Sequence, residues 1–203
     1  CSQDMRNHPM FPSQGYSWLF DMKIGVPHCR DGFGFLKFNF DAHWYTPLIQ
    51  EYGAILHLHG FFGYITRLHS HTIPYRELFH IGGPATVRGF TYGQIGPSMI
   101  GSSLGSTKAM TATVEIRFPI SYDGNFRGMI FYNGGSGWDT PDAAQLSSTL
   151  LQNNNFDFRH AIGIGLSMMS PTPIRVDWGF KLDQKRRRNE SFSEVHISMS
   201  QAF

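Results

Sequence analysis

Eight stretches of this chain alternate apolar and polar residues with period two, and most of them run for about ten residues or longer. In 16–24, Tyr16, Trp18, Phe20, Met22 and Ile24 share one face, against Ser17, Asp21 and Lys23 on the other. In 36–45, Leu36, Phe38, Phe40, Ala42 and Trp44 oppose Lys37, Asn39, Asp41 and His43. In 54–64, Leu56, Leu58, Phe62 and Tyr64 oppose His57 and His59. In 111–118, Ala112, Val114, Ile116 and Phe118 oppose Thr111, Thr113, Glu115 and Arg117. The pattern returns in 161–169, in 174–181 and in 194–203, and is weakest in 126–135, where both faces carry apolar residues. Side chains of a strand alternate between its two faces, so each stretch reads as a strand with one apolar and one polar side.

Strand length narrows the choice of fold. Soluble strands average about 5–6 residues, whereas a strand tilted across a bilayer needs about 9–11. The connections also alternate. Those near 47–52, 119–125 and 170–173 are short, and those at 25–34, 66–107, 139–157 and 183–191 are longer. Short turns at one end and long loops at the other are the pattern of outer-membrane barrels. Trp18, Trp44, Tyr45, Tyr64, Trp138 and Trp178 are placed to serve as interfacial girdle residues, lumenal residues or loop residues. The fold class read from these features is an all-β, antiparallel transmembrane barrel. A soluble β-sandwich, whose two apolar faces meet as a core, shares the alternation.

Composition agrees and excludes other classes. Charged residues make up 16% of the chain, below the usual ~25%, and 18 of its 203 residues are Phe. No run approaches the roughly 20 apolar residues of a membrane helix. The net charge of +2 gives no reason to expect a nucleic-acid partner. Two cysteines, Cys1 and Cys29, make no disulfide framework and no metal spacing, and the residues leave open whether they pair. The chain opens on Cys1 without a leader, so a fragment of a longer protein is expected.

The longest connection runs for 42 residues from Thr66 to Thr107 and contains FHIGGPATVRGF at 79–90. A loop that long is disordered or folds onto something. If it folds back into a barrel lumen, Arg88 has carboxylates within reach, and its rigid fork pairs bidentately with them without losing its proton. Glu115, on the polar face of the next strand, is the first partner by chain pattern, and Asp139, after Trp138, is a second. Gly82, Gly83 and Gly89 permit unusual dihedrals and close backbone approach. The other reading of Arg88 is a solvated loop residue, and spacing leaves both open.

The segment GGPATVRGF resembles the loop motif of the BamA-type outer-membrane protein assembly factor superfamily, with Gly82, Gly83, Val87, Arg88, Gly89 and Phe90 in the motif positions. MFPSQGYSW, TVEIRFPI, FYNGGSGWDT and AIGIGLSMMSPTPIRVDWGFKL are similar, in that order, to strands of the same barrel. SEVHISMSQAF resembles the strand signal of barrel substrates, with Val195, Ile197, Met199 and the final Phe203. The resemblance covers nearly the whole chain. It implies that 1–203 is the C-terminal half of a barrel of roughly sixteen strands, with the N-terminal strands and the periplasmic POTRA domains absent. It implies that Arg88 pins the loop by pairing with Glu115. Many members carry Asp where this chain has Asn133, which removes one charge from the expected site.

The implied function is folding and insertion of β-barrel proteins through a lateral gate in a Gram-negative outer membrane, with no enzyme activity and no cofactor. The implied partners are unfolded barrel substrates, the lipid bilayer and, through POTRA domains, periplasmic accessory lipoproteins. A two-partner secretion pore and a barrel anchor fused to an enzyme are the alternatives. Half a barrel leaves open edges that lipid does not tolerate, so residues 1–203 alone are not expected to insert as a stable monomer.

Three other groupings carry less. His57 with His59, and His69 with His71, each place two imidazoles on one side, but no third ligand lies near either in sequence, so no metal site is expected. Lys185, Arg186, Arg187 and Arg188 read as a solvated loop with lipid headgroups as an alternative. Gly163 and Gly165 read as glycines that let the sheet curve.

Overall fold

The structure is a computed structural model, and it describes residues 1–9, 11–26, 34–68, 73–99, 101–121, 124–141, 151–168, 173–183 and 190–199. The expectations that concern Cys29, His69, His71, residues 185–188 and Phe203 lie outside these residues.

Nine strands form one antiparallel sheet: β1 (Ser2–Asp4), β2 (Gly15–Gly25), β3 (Phe35–Ile49), β4 (Ala54–Arg67), β7 (Lys108–Pro119), β8 (Phe126–Trp138), β10 (Arg159–Met168), β11 (Ile174–Lys181) and β12 (Ser193–Ser198). Their order in the sheet is their order in the chain, an up-and-down meander. Three two-residue strands, β5 (Ser98–Met99), β6 (Ser102–Ser103) and β9 (Leu151–Gln152), make a small second sheet over the loop end. Each of the eight stretches singled out by alternation contains a strand among the described residues, and β3, β4, β7 and β8, at 12–15 residues, exceed the roughly 9–11 that a tilted crossing needs. The sheet does not close on itself. Among the described residues β1 and β12 are its two edges.

The two faces of the sheet decide between membrane and water. Phe20, Phe40, Phe62, Val114, Ile130, Ile164 and Trp178 point away from the loop and are exposed, Ile164 at 54%. The polar face is the covered one: Thr111, Thr113, Glu115, Arg117, Asn133 and Asp177 are buried. A soluble sandwich buries its apolar face. Here the apolar face is outside, as lipid requires and water does not.

The apolar core lies inside, between the loop and the polar wall. It consists of Phe35, Ile65, Ala109 and Ala161 from strands together with Ile73, Leu78, Phe79, Ile81, Val87, Phe90 and Ile95 from the loop. Loop residues 73–99 and 101–107 thus fold onto the inner surface instead of projecting outward. Isolated bridges Phe79 to Ser106 and Ile81 to Ile95 run the loop back on itself. At its entrance Tyr75–Glu77 makes one 3-10 turn. Glu77 there accepts from Lys23 at 2.5 Å, and that ammonium holds its carboxyl below the usual carboxylate range.

Of the girdle, lumenal and loop readings, Tyr45 takes the lumenal one. It lies on the inner side, 1% exposed, with its ring stacked on His57 at 4.4 Å, while Trp44 and Trp178 face outward. It is an odd-numbered residue of β3 and shares the face of Asp41 and His43.

Candidate functional site

The inner wall presents rows of residues fixed by register. Glu115 is opposite Phe131, Phe131 opposite Gly163, and Gly163 opposite Gly179. One row along, Arg117, Met129, Gly165, Asp177 and His196 are aligned across five strands. On the other side Thr113 aligns with Asn133 and Ala161. All of these point into the lumen because strand parity is preserved through every pairing.

The glycines in this wall make room for the loop at Gly179 and for the wall's own inward side chains at Gly163 and Gly165. A Cβ on Gly179 would lie 2.6 Å from the Gly89 Cα, and one on Gly163 would lie 2.3 Å from the Phe131 ring. Gly165 likewise clears the Asp177 carboxylate. These positions therefore serve close packing on the inner face. Gly89 itself has φ +92°, a conformation that a side chain strains, and it touches the Ala161 Cβ position. Val87 and Phe90 flank it and are completely buried.

Arg88 lies at the centre of this surface. Its guanidinium carbon sits 3.6 Å over the Phe131 ring centre. Nη1 is 2.7 Å from Glu115 Oε2 and 3.4 Å from Asp177 Oδ1, and Nε donates to Asn133 Oδ1 at 2.8 Å. Asn133 in turn donates to Thr113 Oγ1 at 2.6 Å. The two-sided apolar pattern of β8 now has a cause, because Phe131 is an inward platform for a cation.

The structure brings Arg88, Glu115 and Asn133 together and separates Asp139 from them. Asp139 ends the strand in the left-handed region, φ 65°, and pairs with Lys108 at 3.0 Å near solvent. Its carbonyl accepts from Thr107 N, which closes the base of the loop. The second carboxylate beside Arg88 is Asp177, which lies in the alternating stretch 174–181 and which sequence reasoning did not connect to the loop. Arg117 and Arg175 were missed in the same way. Arg117 Nε reaches Glu115 Oε1 at 2.5 Å, Arg175 Nη2 reaches Glu115 Oε2 at 2.7 Å, and Arg175 Nε reaches Asp177 Oδ2 at 2.8 Å. Three guanidinium groups thus share two carboxylates. Each charge is buried beside opposite charge, the condition under which burial is tolerated.

A second cation group holds the neighbouring aromatic. Arg159 lies 4.7 Å over the Phe90 ring and Lys181 5.2 Å from it. Arg159 makes a fork to both Glu190 oxygens, at 2.9 and 2.8 Å, and contacts Asp183 at 3.0 Å. Gly89 N donates to His196 Nε2 at 3.2 Å, so the loop also touches the last strand. Val195 and Ile197 of that strand, and Met199 after it, are exposed on the outer side.

An apolar outer face, a charged inner face and an inserted loop define this chain as the wall of a membrane β-barrel with an internal plug segment. The Omp85 superfamily domain matches residues 1–203, and the chain belongs to that superfamily. It is 26% identical over 188 residues to a SAM50-like protein of Schizosaccharomyces pombe, which covers 89% of this chain and 38% of the relative. It is 24% identical over 207 residues to the outer membrane protein assembly factor BamA of Neisseria meningitidis, 87% of this chain and 25% of that protein. The crystal structure of BamA from Haemophilus ducreyi lacking POTRA domains 1–3 superposes on 97% of the chain with a TM-score of 0.77 and 20% identity, over 40% of its own length. The chain therefore spans well under half the length of these relatives.

Proposed function

We propose that this chain is the C-terminal half of the barrel of an outer-membrane protein assembly factor, and that the whole protein folds and inserts β-barrel proteins. The observation that carries the reading is the seated loop: Arg88 is held against Phe131, Glu115, Asn133 and Asp177 inside a wall whose outer face is apolar. A barrel whose edge must open while the rest stays rigid gains a fixed wall.

β12 supplies the edge. All six of its residues, Ser193–Ser198, pair with β11, and its other side carries no partner among the described residues. In the whole barrel this strand would meet the first one, which this chain does not include, and a seam that opens there would expose edge groups that template an incoming strand by β-augmentation. The relatives include a bacterial and a fission-yeast protein, so the kind of outer membrane follows from the source of the chain.

The test is reconstitution. Full-length protein in liposomes is given an unfolded barrel protein, and heat-resistant folded product is counted against empty liposomes. Faster folding with wild type, lost with Arg88→Glu, is the expected result. Equal folding in both liposome samples contradicts the proposal.

A further inference from the structure

Beside the loop-holding residues, and lining the same cavity as Arg88 and Glu115, three potential metal ligands converge on the lumen side of β3 and β4. Asp41 and His43 are two apart on β3 and share a face, and His43 is registered opposite His59 of β4. Asp41 Oδ1 is 2.8 Å from His43 Nε2, and Asp41 Oδ2 is 3.0 Å from His59 Nε2. The ligand atoms of the three residues all lie within 4.8 Å of one another. A lumenal cavity of about 400 Å³ opens beside them and reaches Pro84, Ala85 and Thr86 of the loop.

We propose that Asp41, His43 and His59 form a binding site for a divalent transition metal of the zinc class. The carboxylate and the two imidazole Nε2 atoms are the ligands, and a water from the cavity completes a tetrahedron. Zinc takes this mixed nitrogen and oxygen set at about 2.0–2.2 Å, which puts tetrahedral ligand atoms about 3.3 Å apart. The present 2.8 and 3.0 Å contacts lengthen by a few tenths of an ångström on binding. The two rings now stack at 4.3 Å and 7°. They tilt toward each other so that their in-plane lone pairs converge, which side-chain rotation supplies without moving the paired strands.

The second layer links this site to the loop. Arg117 Nη2 lies 3.0 Å from His57 Nδ1, and His57 Nε2 lies 3.1 Å from His43 Nδ1. A guanidinium only donates, so His57 Nδ1 accepts and His57 carries its proton on Nε2. That proton goes to His43 Nδ1, and neutral His43 carries its own on Nε2, toward Asp41. A metal at His43 Nε2 displaces this proton to Nδ1. The His43–His57 hydrogen bond then reverses, His57 releases its Nε2 proton and takes one up at Nδ1, staying neutral as the other tautomer, and its contact with Arg117 ends. Metal occupancy is thereby coupled to one of the arginines that neutralise Glu115. Outer-layer partners of this kind orient metal-bound imidazoles.

The experiment uses full-length protein in detergent, without a histidine tag, checked for folding by heat-modifiability and titrated with Zn²⁺ against a chromophoric chelator. One Zn²⁺ per chain is expected at this site. The Asp41→Asn/His59→Gln double variant is expected to weaken that binding at least tenfold, and His69→Gln/His71→Gln to leave it unchanged. X-ray absorption of the equimolar wild-type complex is expected to show two imidazoles in the first shell. It decides the matter without variants, should the double variant fail to fold. No binding, binding indifferent to the Asp41 and His59 changes, or a shell without two imidazoles overturns the proposal.

Discussion

The wall from β7 to β11 and the wall from β2 to β4 follow the same alternation, yet their inner faces are built differently. The first is lined by glycines and by charges that meet a loop from 20 or more residues away in sequence, as Gly179 meets Gly89 and Glu115 meets Arg88. The second is lined by a stack of Tyr45, His43, His57 and His59, which contact each other across one pair of strands. Where a segment inserts, the wall gives up side-chain volume and supplies charge. The loop end of the second wall does meet the inserted segment, through Lys23, Phe35 and Ile65, and only around His43 and His57 do neighbouring strands satisfy each other. The difference teaches that the period-two code sets which way a residue points, while the inserted loop sets what the wall must be.

The sharpest way to break this comparison is to remove the central cation. Arg88→Met leaves Glu115 and Asp177 buried with one fewer guanidinium, and loss of one partner from a buried network costs about 3–5 kcal/mol. The expected outcome, in full-length protein, is a lower midpoint of heat-modifiability and protease cleavage within 79–90. An unchanged midpoint and cleavage pattern would show that the loop is held by its apolar core alone. The outer face offers a control of similar size. Ile164→Arg puts a cation on the exposed apolar face, where it costs about 2–4 kcal/mol near the bilayer midplane. Folding yield in lipid should fall while folding in detergent changes less, and equal loss in both would contradict the outward orientation.

Overpacking comes next. Gly179→Ala sets a methyl 2.6 Å from the Gly89 backbone, and forced packing of this kind typically costs about 1–3 kcal/mol. Increased labelling of a cysteine placed at Val87 reports the displaced loop, and an unlabelled Val87→Cys in the Gly179→Ala background contradicts it. The smallest effect belongs to Asp139→Asn. Its pair with Lys108 is near solvent, such pairs contribute about 0–1 kcal/mol, and Asn tolerates the left-handed backbone. Its midpoint should match wild type, and a large drop would return Asp139 to the loop-holding group.

A charge exchange sharpens the comparison further. An isolated Arg88–Glu115 pair would be restored by reversing both residues. The network predicts no restoration, because an arginine at 115 would face Arg117 and Arg175, and a glutamate at 88 would face Asp177. Recovery in the Arg88→Glu/Glu115→Arg double variant would reduce the site to a single pair.

The strands were legible because alternation survives in the residues themselves, whereas the length of the 66–107 connection left a disordered and a folded loop both open. Arg88 with Glu115 was legible through the resemblance of the motif. Asp177, Arg117 and Arg175 were on the polar faces already read from parity, but only register shows which of those residues share a row. Asp139 misled because chain proximity to Trp138 says nothing of the turn that carries its side chain toward Lys108. The meeting of Asp41 and His43 with His59 was hidden for the same reason, since a cross-strand cluster has no spacing signature. Tyr45 was ambiguous while the orientation of its strand was unknown.

The central claim is that this wall belongs to a general assembly factor. Its most direct test is depletion of the full-length protein in its native cells, with folded, heat-modifiable barrel proteins quantified in the outer membrane. The account predicts a fall across many unrelated barrels. Normal barrels accompanied by loss of one secreted protein would contradict it and assign the chain to a dedicated transporter.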